Sequence, residues 1–530
     1  MKKVLLFIFP LLVFCSLFKT AEADSINKKA HHLKDSILVT AFHTDSVHVE
    51  EFIKKNPFGP VVADQIRQFY KTRDYQNAWI TEDGLSEHAQ IFLNLYDQYR
   101  LYSADSSFKN VHLASQLELL QSEGMSIDSL KTYEQLELKL TVFFIHFIKR
   151  AYAGKVDPEK FQWHIPRKKI EVARLLNELV LSKDLILDSW LPISEEYKAM
   201  RDHVLRLKCI PQEKWTNISL LEGKNIKQGD TSKSVKAIKN RLLLLGDLTI
   251  GDTTEIYTNQ LLNAVKGFQV RHGLTMDGII GPNFLEALNM PIQKKIEQML
   301  INMERMRWMP KYEARKRVVV NIPEFRLHVY EGNKDILSMD VVVGKAATRT
   351  VIFSDQIKHV VFSPYWNLPQ SIVKNEVLPG LESNPNYLID HNMELRGQRN
   401  GLPIIRQKPG PSNALGRVKF IFPNKYSIYL HDTPSKQLFQ RTTRAFSHGC
   451  IRVEDPSAFA ANLLFQKKEW TSKKIKDAMS SNLELWVNLD SPVPVYITYF
   501  TSWIDSSGKL NFRKDIYGHD KRLASHLFEH

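Results

Sequence analysis

Hydrophobic positions along this chain keep two different periods. Up to about residue 310, apolar side chains recur every three or four residues; beyond Pro310 they recur every second residue. The stretches "QIFLNLYDQY", "QLELKLTVFFIHFIKRAY" and "EVARLLNELVLSK" carry the first spacing and predict a helical scaffold over 24–222. Aromatic residues there, as in "FYKTRDYQNAWI", read as core rather than as a ligand site. Residues 225–290 predict a compact three-helix module. "GDTSKSVKAIKNRLLLLG" opens on capping residues and sets Val235, Ile238, Leu242 and Leu245 on one face. "YTNQLLNAVKGFQVRHGL" does the same with Leu261, Val265 and Phe268, and Pro282 stands near the start of a third helix. Within 291–312, "IQKKIEQMLINMERMRW" predicts an amphipathic connector helix striped by Ile296, Met299, Leu300, Met303 and Met306.

The period-two runs "RVVVNIPEFRLHVYEG", "SMDVVVG", "KHVVFSP", "VKFIFPN", "YSIYLHD", "LELWVNLD" and "VPVYITYF" predict short strands over 313–500, hence a sandwich or distorted barrel. One helix, "EDPSAFAANLLFQ", interrupts them, with Asp455 as cap and Pro456 at its first position. Residues 381–416 form a long polar stretch rich in Gly, Pro and Asn, a surface insertion or a functional loop, and 501–530 read as a tail. The expected class is therefore α+β multidomain: a helical N-terminal scaffold, a small three-helix module, and a mostly-β, sandwich-like C-terminal domain.

Charge and cysteine change this picture in two ways. Lys2 and Lys3, the apolar run Val4–Phe18 and Ala21-Glu22-Ala23 form a signal-peptide pattern over 1–23, which implies export, with an uncleaved anchor as the alternative. The full chain carries net charge +14; losing three lysines and one glutamate with that segment leaves +12. Such a balance suits either a solvated lysine-rich surface or an acidic polymer, and export makes nucleic acid the weakest partner. Only Cys209 and Cys450 remain of three cysteines, too few for a disulfide framework. Cys209 sits in apolar "RLKCIP" and reads as buried; Cys450 sits in polar "AFSHGC" and does not.

A thiol is only a few per cent ionised at neutral pH unless a base takes its proton. His448 is two residues from Cys450 in extended chain, whereas His431 closes a separate strand and can approach from the side. His431 is therefore the expected base, in a thiolate–imidazolium pair, and His448 a substrate contact. Gly449 lets the backbone turn, so that its N–H and that of Cys450 can face a developing oxyanion. No CxxC or HExxH pattern supports a metal, and no GxxxxGK run supports phosphate binding.

The span "HDTPSKQLFQRTTRAFSHGCIR", His431 to Arg452, resembles the signature of the L,D-transpeptidase (YkuD-type) catalytic domain: a histidine, a spacer, then Ser/Thr-His-Gly-Cys and an apolar residue. Arg452 stands where many members have Asn. That arginine, with "VVFSPYWNLPQSIVKNEVLP" and "ALGRVKFIFPNKYSIYLHDTP", is similar to the large, multidomain, YcbB-like periplasmic branch. "AVKGFQVRHGLTMDGIIGP" resembles a peptidoglycan-binding type 1 domain. The resemblance implies attack by Cys450 on a tetrapeptide stem of peptidoglycan, a thioester, and transfer to a second stem as a 3→3 cross-link, without cofactor. It implies that Asp432 orients His431, through its side chain or its backbone carbonyl, and that 381–416 is a lid. Ser447 braces the loop. Tyr429 lines the pocket, donates to the oxyanion or packs in the core. Arg452 binds a stem carboxylate or pairs with Glu454. Tyr365, Trp366 and Asn367 form a pocket wall or a core corner. An L,D-carboxypeptidase or endopeptidase would use the same nucleophile with water. A wall-binding scaffold that recruits other cell-wall enzymes through its helical half is the non-catalytic alternative. No obligate oligomer is expected.

Overall fold

The computed structural model describes residues 43–528 except 82, 104, 106–129, 182–192, 221–222 and 313; the signal-peptide segment 1–23 lies outside them. The chain divides into two compact units, so the helical stretch expected over 24–222 is shared: residues 94–103, 146–172 and 193–220 group with the C-terminal unit.

In the N-terminal unit, helices including Ser46–Lys55 and Pro60–Thr72 enclose Ile66, Phe69, Trp79, Phe92 and Phe144. Buried Glu137 accepts from the backbone N–H groups of Ala78 (2.8 Å), Trp79 (2.9 Å) and Ile80 (3.1 Å) and from the Tyr70 hydroxyl (3.0 Å). A carboxylate so supplied with donors pins a loop that would otherwise bury orphan N–H groups.

The three-helix module lies within the larger unit. Its helices Lys233–Leu245, Asn259–Arg271 and Pro282–Asn289 start on the caps Ser232 and Thr258 and on Pro282, as the sequence predicts. Val235, Ile238, Leu242, Val265, Phe268 and Phe284 form its core. The connector Ile292–Trp308 departs from expectation. It is enclosed on nearly every side, because Asn302, Glu304, Arg305 and Arg307 are buried too. Each finds a partner: Arg307 to Glu304 at 2.6 Å, Arg305 to Asp520 at 2.5 Å, and the Asn302 amide to Thr501 Oγ1 at 2.7 Å. Two of those partners lie in the expected tail 501–530. That segment is in fact folded, as the strand pair Ser502–Ile504/Leu510–Phe512 and the helix His519–Leu527. Its runs are too short to show a period, and its partners lie some two hundred residues away.

Eight strands of the C-terminal domain close on themselves. The hydrogen-bonded order is Val418–Ile421, Leu430–His431, Ile451–Val453, Lys334–Gly344, Arg326–Glu331, Lys316–Asn321, Leu485–Thr498 and Ile352–Phe362, which pairs back to Val418–Ile421. Closure leaves few exposed strand edges. Helix Pro456–Leu463, capped by Asp455 as expected, packs Phe459 on Phe420 across the core. The stretch 381–416, read as a loop, is largely ordered. Trp366–Asn367, Leu402–Gln407 and Met393–Arg399 make a separate three-stranded sheet over a small core of Leu368, Ile372, Val373, Val377 and Ile405. Strand Met393–Arg399 buries no face fully, so it carries no period-two signal.

Candidate active site

The site is built on one short parallel strand pair. Leu430 pairs with Ile451 and His431 with Arg452. The Ile451 N–H donates to the Tyr429 carbonyl at 3.1 Å, which sets Cys450 beside Tyr429. Leu430 and Ile451 are fully buried in the core, a gain of about 1.5–3 kcal/mol each. A one-residue slip would expose both, so the register is fixed. Alternation then sends Tyr429, His431, Cys450 and Arg452 to the opposite face. There the Tyr429 and His431 rings lie 5.7 Å apart.

His431 is buried, and its Nδ1 lies 2.5 Å from the backbone carbonyl oxygen of Asp432. That acceptor holds the proton on Nδ1 and leaves Nε2 to accept one. The Asp432 carboxylate turns elsewhere. Its Oδ2 accepts from the Arg417 N–H at 2.8 Å, and Lys436 Nζ lies 2.8 Å from Oδ1 as an ion pair off the hydrogen-bonding direction. Gly416 makes this possible: at φ +62, a Cβ there would lie 2.4 Å from the Asp432 carboxyl.

Burial, then the Arg452 guanidinium, pushes His431 down to about 4, against the Asp432 and Leu415 carbonyls. Burial pushes the Cys450 thiol up, against hydrogen bonding by Tyr429 and the charge of Arg452. Both shifts oppose the thiolate–imidazolium pair expected from sequence. They favour a neutral thiol and a neutral imidazole on this face, because a low-dielectric pocket next to a cation disfavours a second cation. Cys450 Sγ itself faces the Ser427 carbonyl at 3.7 Å.

The loop before Cys450 is braced from inside. Ser447, buried, donates from Oγ to the Cys450 carbonyl at 2.6 Å and accepts from the Gly449 N–H at 3.1 Å. The Gly449 N–H is thereby spent, which corrects its expected place in the oxyanion site; the Cys450 N–H has no protein acceptor among the described residues. Gly449 adopts φ +121 with no atom closer than 3.7 Å to a would-be Cβ, so conformation rather than space demands glycine. Thr350 carries no signal in the sequence pattern. Its Oγ1 donates to the Gly449 carbonyl at 2.8 Å and accepts from the Gly344 N–H at 2.9 Å. Tyr517 then donates to the Gly344 carbonyl.

The remaining expected residues surround this face. His448 is exposed, its Nε2 3.6 Å from Glu376 Oε1. Trp366 and the exposed Asn367 pair with Gln407 and Arg406 in the small sheet. Burial and the neighbouring thiol push the Tyr429 hydroxyl far up, opposed by the Trp366 indole N–H. Tyr365 stacks under the Arg406 guanidinium at 3.8 Å. Arg452 does not pair with Glu454, whose Oε2 accepts from the Asp340 N–H at 3.1 Å; the Arg452 Nε is buried without an acceptor. Cys209 corrects a further expectation. It is exposed, because it falls two residues past Leu207 and off the buried stripe Met200, Val204 and Leu207. Among the described residues no cluster of metal-ligating side chains occurs.

Three family matches coincide with these elements. The L,D-transpeptidase catalytic domain (YkuD) matches residues 315–495, a scaffold domain matches 64–203, and a "Putative peptidoglycan binding domain" matches 231–288. A "Putative L,D-transpeptidase" of Haemophilus influenzae is 32% identical over 286 residues, 51% of this chain and 57% of that protein. The match thus spans little more than half of that relative's length. Solved structures titled as L,D-transpeptidases from Xylanimonas cellulosilytica and Stackebrandtia nassauensis are 17% and 16% identical, with TM-scores of 0.19 and 0.21. The first alignment covers 53% of this chain and 100% of that one; the second covers 51% and 96%. At those scores they carry no weight beside the sequence matches. Residues 315–495, which hold Cys450 and His431, are an L,D-transpeptidase catalytic domain, in a chain that also carries a scaffold domain and a peptidoglycan-binding domain.

Proposed function

We propose that the chain is an exported cysteine L,D-transpeptidase of the large multidomain branch, acting on tetrapeptide stems of peptidoglycan. The observation that supports this most is the gathering of Cys450, His431, Tyr429 and Arg452 on one face of a register-locked strand pair within the matched domain. The Cys450 thiol attacks the carbonyl between the third and fourth stem residues while its proton passes to His431 Nε2. The Cys450 N–H and the Tyr429 hydroxyl are the donors nearest the developing oxyanion. Collapse expels D-alanine, whose amine takes the proton from His431, and leaves a thioester. The side-chain amine of a second stem attacks the thioester, gives its proton to His431 and restores the thiol, forming a 3→3 cross-link. Arg452, a cation without a carboxylate partner among the described residues, receives a stem carboxylate. The stretch 381–416, with its small sheet, serves as the lid, and Glu376 in the adjoining helical turn Val373–Val377 meets His448 at the site. The three-helix module holds the glycan, and the helical half engages other wall enzymes in the periplasm.

The test is the intact mass of the purified chain after mixing with a carbapenem, which mimics the donor carbonyl. One adduct on the parent and none on Cys450→Ala supports the reading. Absence of an adduct on folded parent protein sinks it, and digestion of muropeptide products separates transfer from hydrolysis.

A further inference from the structure

A second basic site lies away from Cys450. A cavity of about 400 Å³ opens where the helix Glu195–Lys208, the three-helix module and the strand pair Ser502–Phe512 meet. Its wall carries the cations Arg206, Arg271, Lys295 and Lys509, with His203 and one carboxylate, Asp247. Arg271 takes up that carboxylate, with Nη2 2.5 Å from Oδ2 and Nε 2.9 Å from Oδ1. The other three cations have no ion-pair partner among the described residues.

Lys295 is the telling member. It is fully buried, and a buried ammonium without a carboxylate is costly. One N–H goes to the Ala287 carbonyl at 3.2 Å and another to His272 Nε2 at 3.4 Å. His272 can accept there because its Nδ1 donates to the Phe268 carbonyl at 2.9 Å. The third N–H of Lys295 has no oxygen or nitrogen acceptor among the described residues, but Nζ lies 4.8 Å from the centre of the Phe512 ring on the cavity wall. Arg206 is similarly underused, donating from Nη2 to His203 Nδ1 at 3.1 Å and the Leu245 carbonyl at 3.4 Å. Burial and the neighbouring Arg271 hold Lys295 down to about 7 and lower Arg206, against the pull of the nearby Asp247 carboxylate. The amides of Gln260 and Asn263 on the same wall supply neutral hydrogen-bonding groups.

We infer that this cavity binds an oxyanion group, carboxylate or phosphate, of a wall fragment. A single anion in the cavity would meet the exposed Arg206 and Lys509 together, with Lys295 sealed behind the wall, and charge-assisted bonds of this kind are the strong ones. The site takes residues from three segments, so a ligand there ties the module to the helix and to the C-terminal strand pair. The choice of a wall fragment rests on the function proposed above; the anion site does not.

Calorimetric binding to the purified chain tests this with three probes: a disaccharide-tetrapeptide, the same fragment with its carboxylates amidated, and inorganic phosphate. The comparison proteins are the parent, Lys295→Gln and the doubly substituted Arg206→Ala/Lys509→Ala, whose exposed positions leave the fold intact. At least about tenfold weaker binding in the double variant, with carbapenem acylation of Cys450 kept, is the expected result. Loss on amidation identifies stem carboxylate as the source; phosphate binding with no effect of amidation identifies a phosphate-bearing polymer. Equal affinity in parent and double variant, or binding of no probe, overturns the site whatever the carbapenem does. Absence of acylation in the parent itself, with the binding difference retained, overturns the proposed function and leaves the site standing.

Discussion

His431 is oriented by the backbone of its neighbour Asp432, not by the carboxylate, which is held by the Arg417 N–H and by Lys436. A Ser-His-Asp arrangement loses about 10⁴ in kcat when its carboxylate becomes an amide. Here Asp432→Asn keeps the carbonyl, and we expect carbapenem acylation of Cys450 to fall by less than about tenfold. The half-exposed Lys436 pair costs about 1 kcal/mol or less when lost. A fall of three decades in acylation rate would show that the side chain does the orienting.

The neutral resting pair makes a prediction about pH. With His431 near 4, the base stays competent from neutral pH down to that region, and the acylation rate of the parent protein should hold until then. The thiol is raised, so the His431→Ala chain should react only as thiolate forms, gaining about tenfold per pH unit through the neutral range. A bell-shaped parent profile with its acid limb near 6.5 would contradict the neutral pair.

The same group affects stability. Unfolded, His431 titrates near its ordinary 6.5; folded, it is held near 4. Between those values the unfolded chain binds more protons, so stability is lost as pH falls from about 6.5 toward 4 and is flat above. His519, held down to about 4 by burial and Arg305, adds to the same window. Thermal midpoints across pH 4–8 check this; a midpoint that rises on acidification would refute it.

Arg452 shares the face of His431 and lowers its pKa. Arg452→Gln should therefore move the acid limb of the acylation profile to higher pH. It should also raise KM for a tetrapeptide donor more than it lowers kcat, because its role is to receive a carboxylate. An unmoved limb would place the guanidinium away from the histidine.

Ser447→Ala removes both bonds that brace the loop before Cys450. Leaving the buried Gly449 N–H without its acceptor costs about 1–3 kcal/mol. Gly449→Ala meets no atom closer than 3.7 Å but must hold φ +121, at about 1–3 kcal/mol. Chemical denaturation should find both destabilised, with acylation slowed in each; a fully stable Gly449→Ala chain would mean that the loop tolerates another conformation.

The sequence by itself determined most of the elements and singled out Cys450 and His431. Caps at Ser232, Thr258 and Asp455, the change of period after Pro310, and Cys450 between glycine and a helix cap are local facts, written within a few residues of where they act. Tertiary structure decided what depends on partners distant in the chain. Whether Cys209 is buried depends on which helical face meets the core, and whether Gly449 offers its N–H depends on where Ser447 Oγ points. The neutral state of His431 is likewise collective, since it follows from enclosure and from Arg452 on an adjoining strand. The folded 501–528 segment and the small sheet over 366–407 were illegible for the same reason. Their strands are short or polar, and only partners tens to hundreds of residues away give them a buried face.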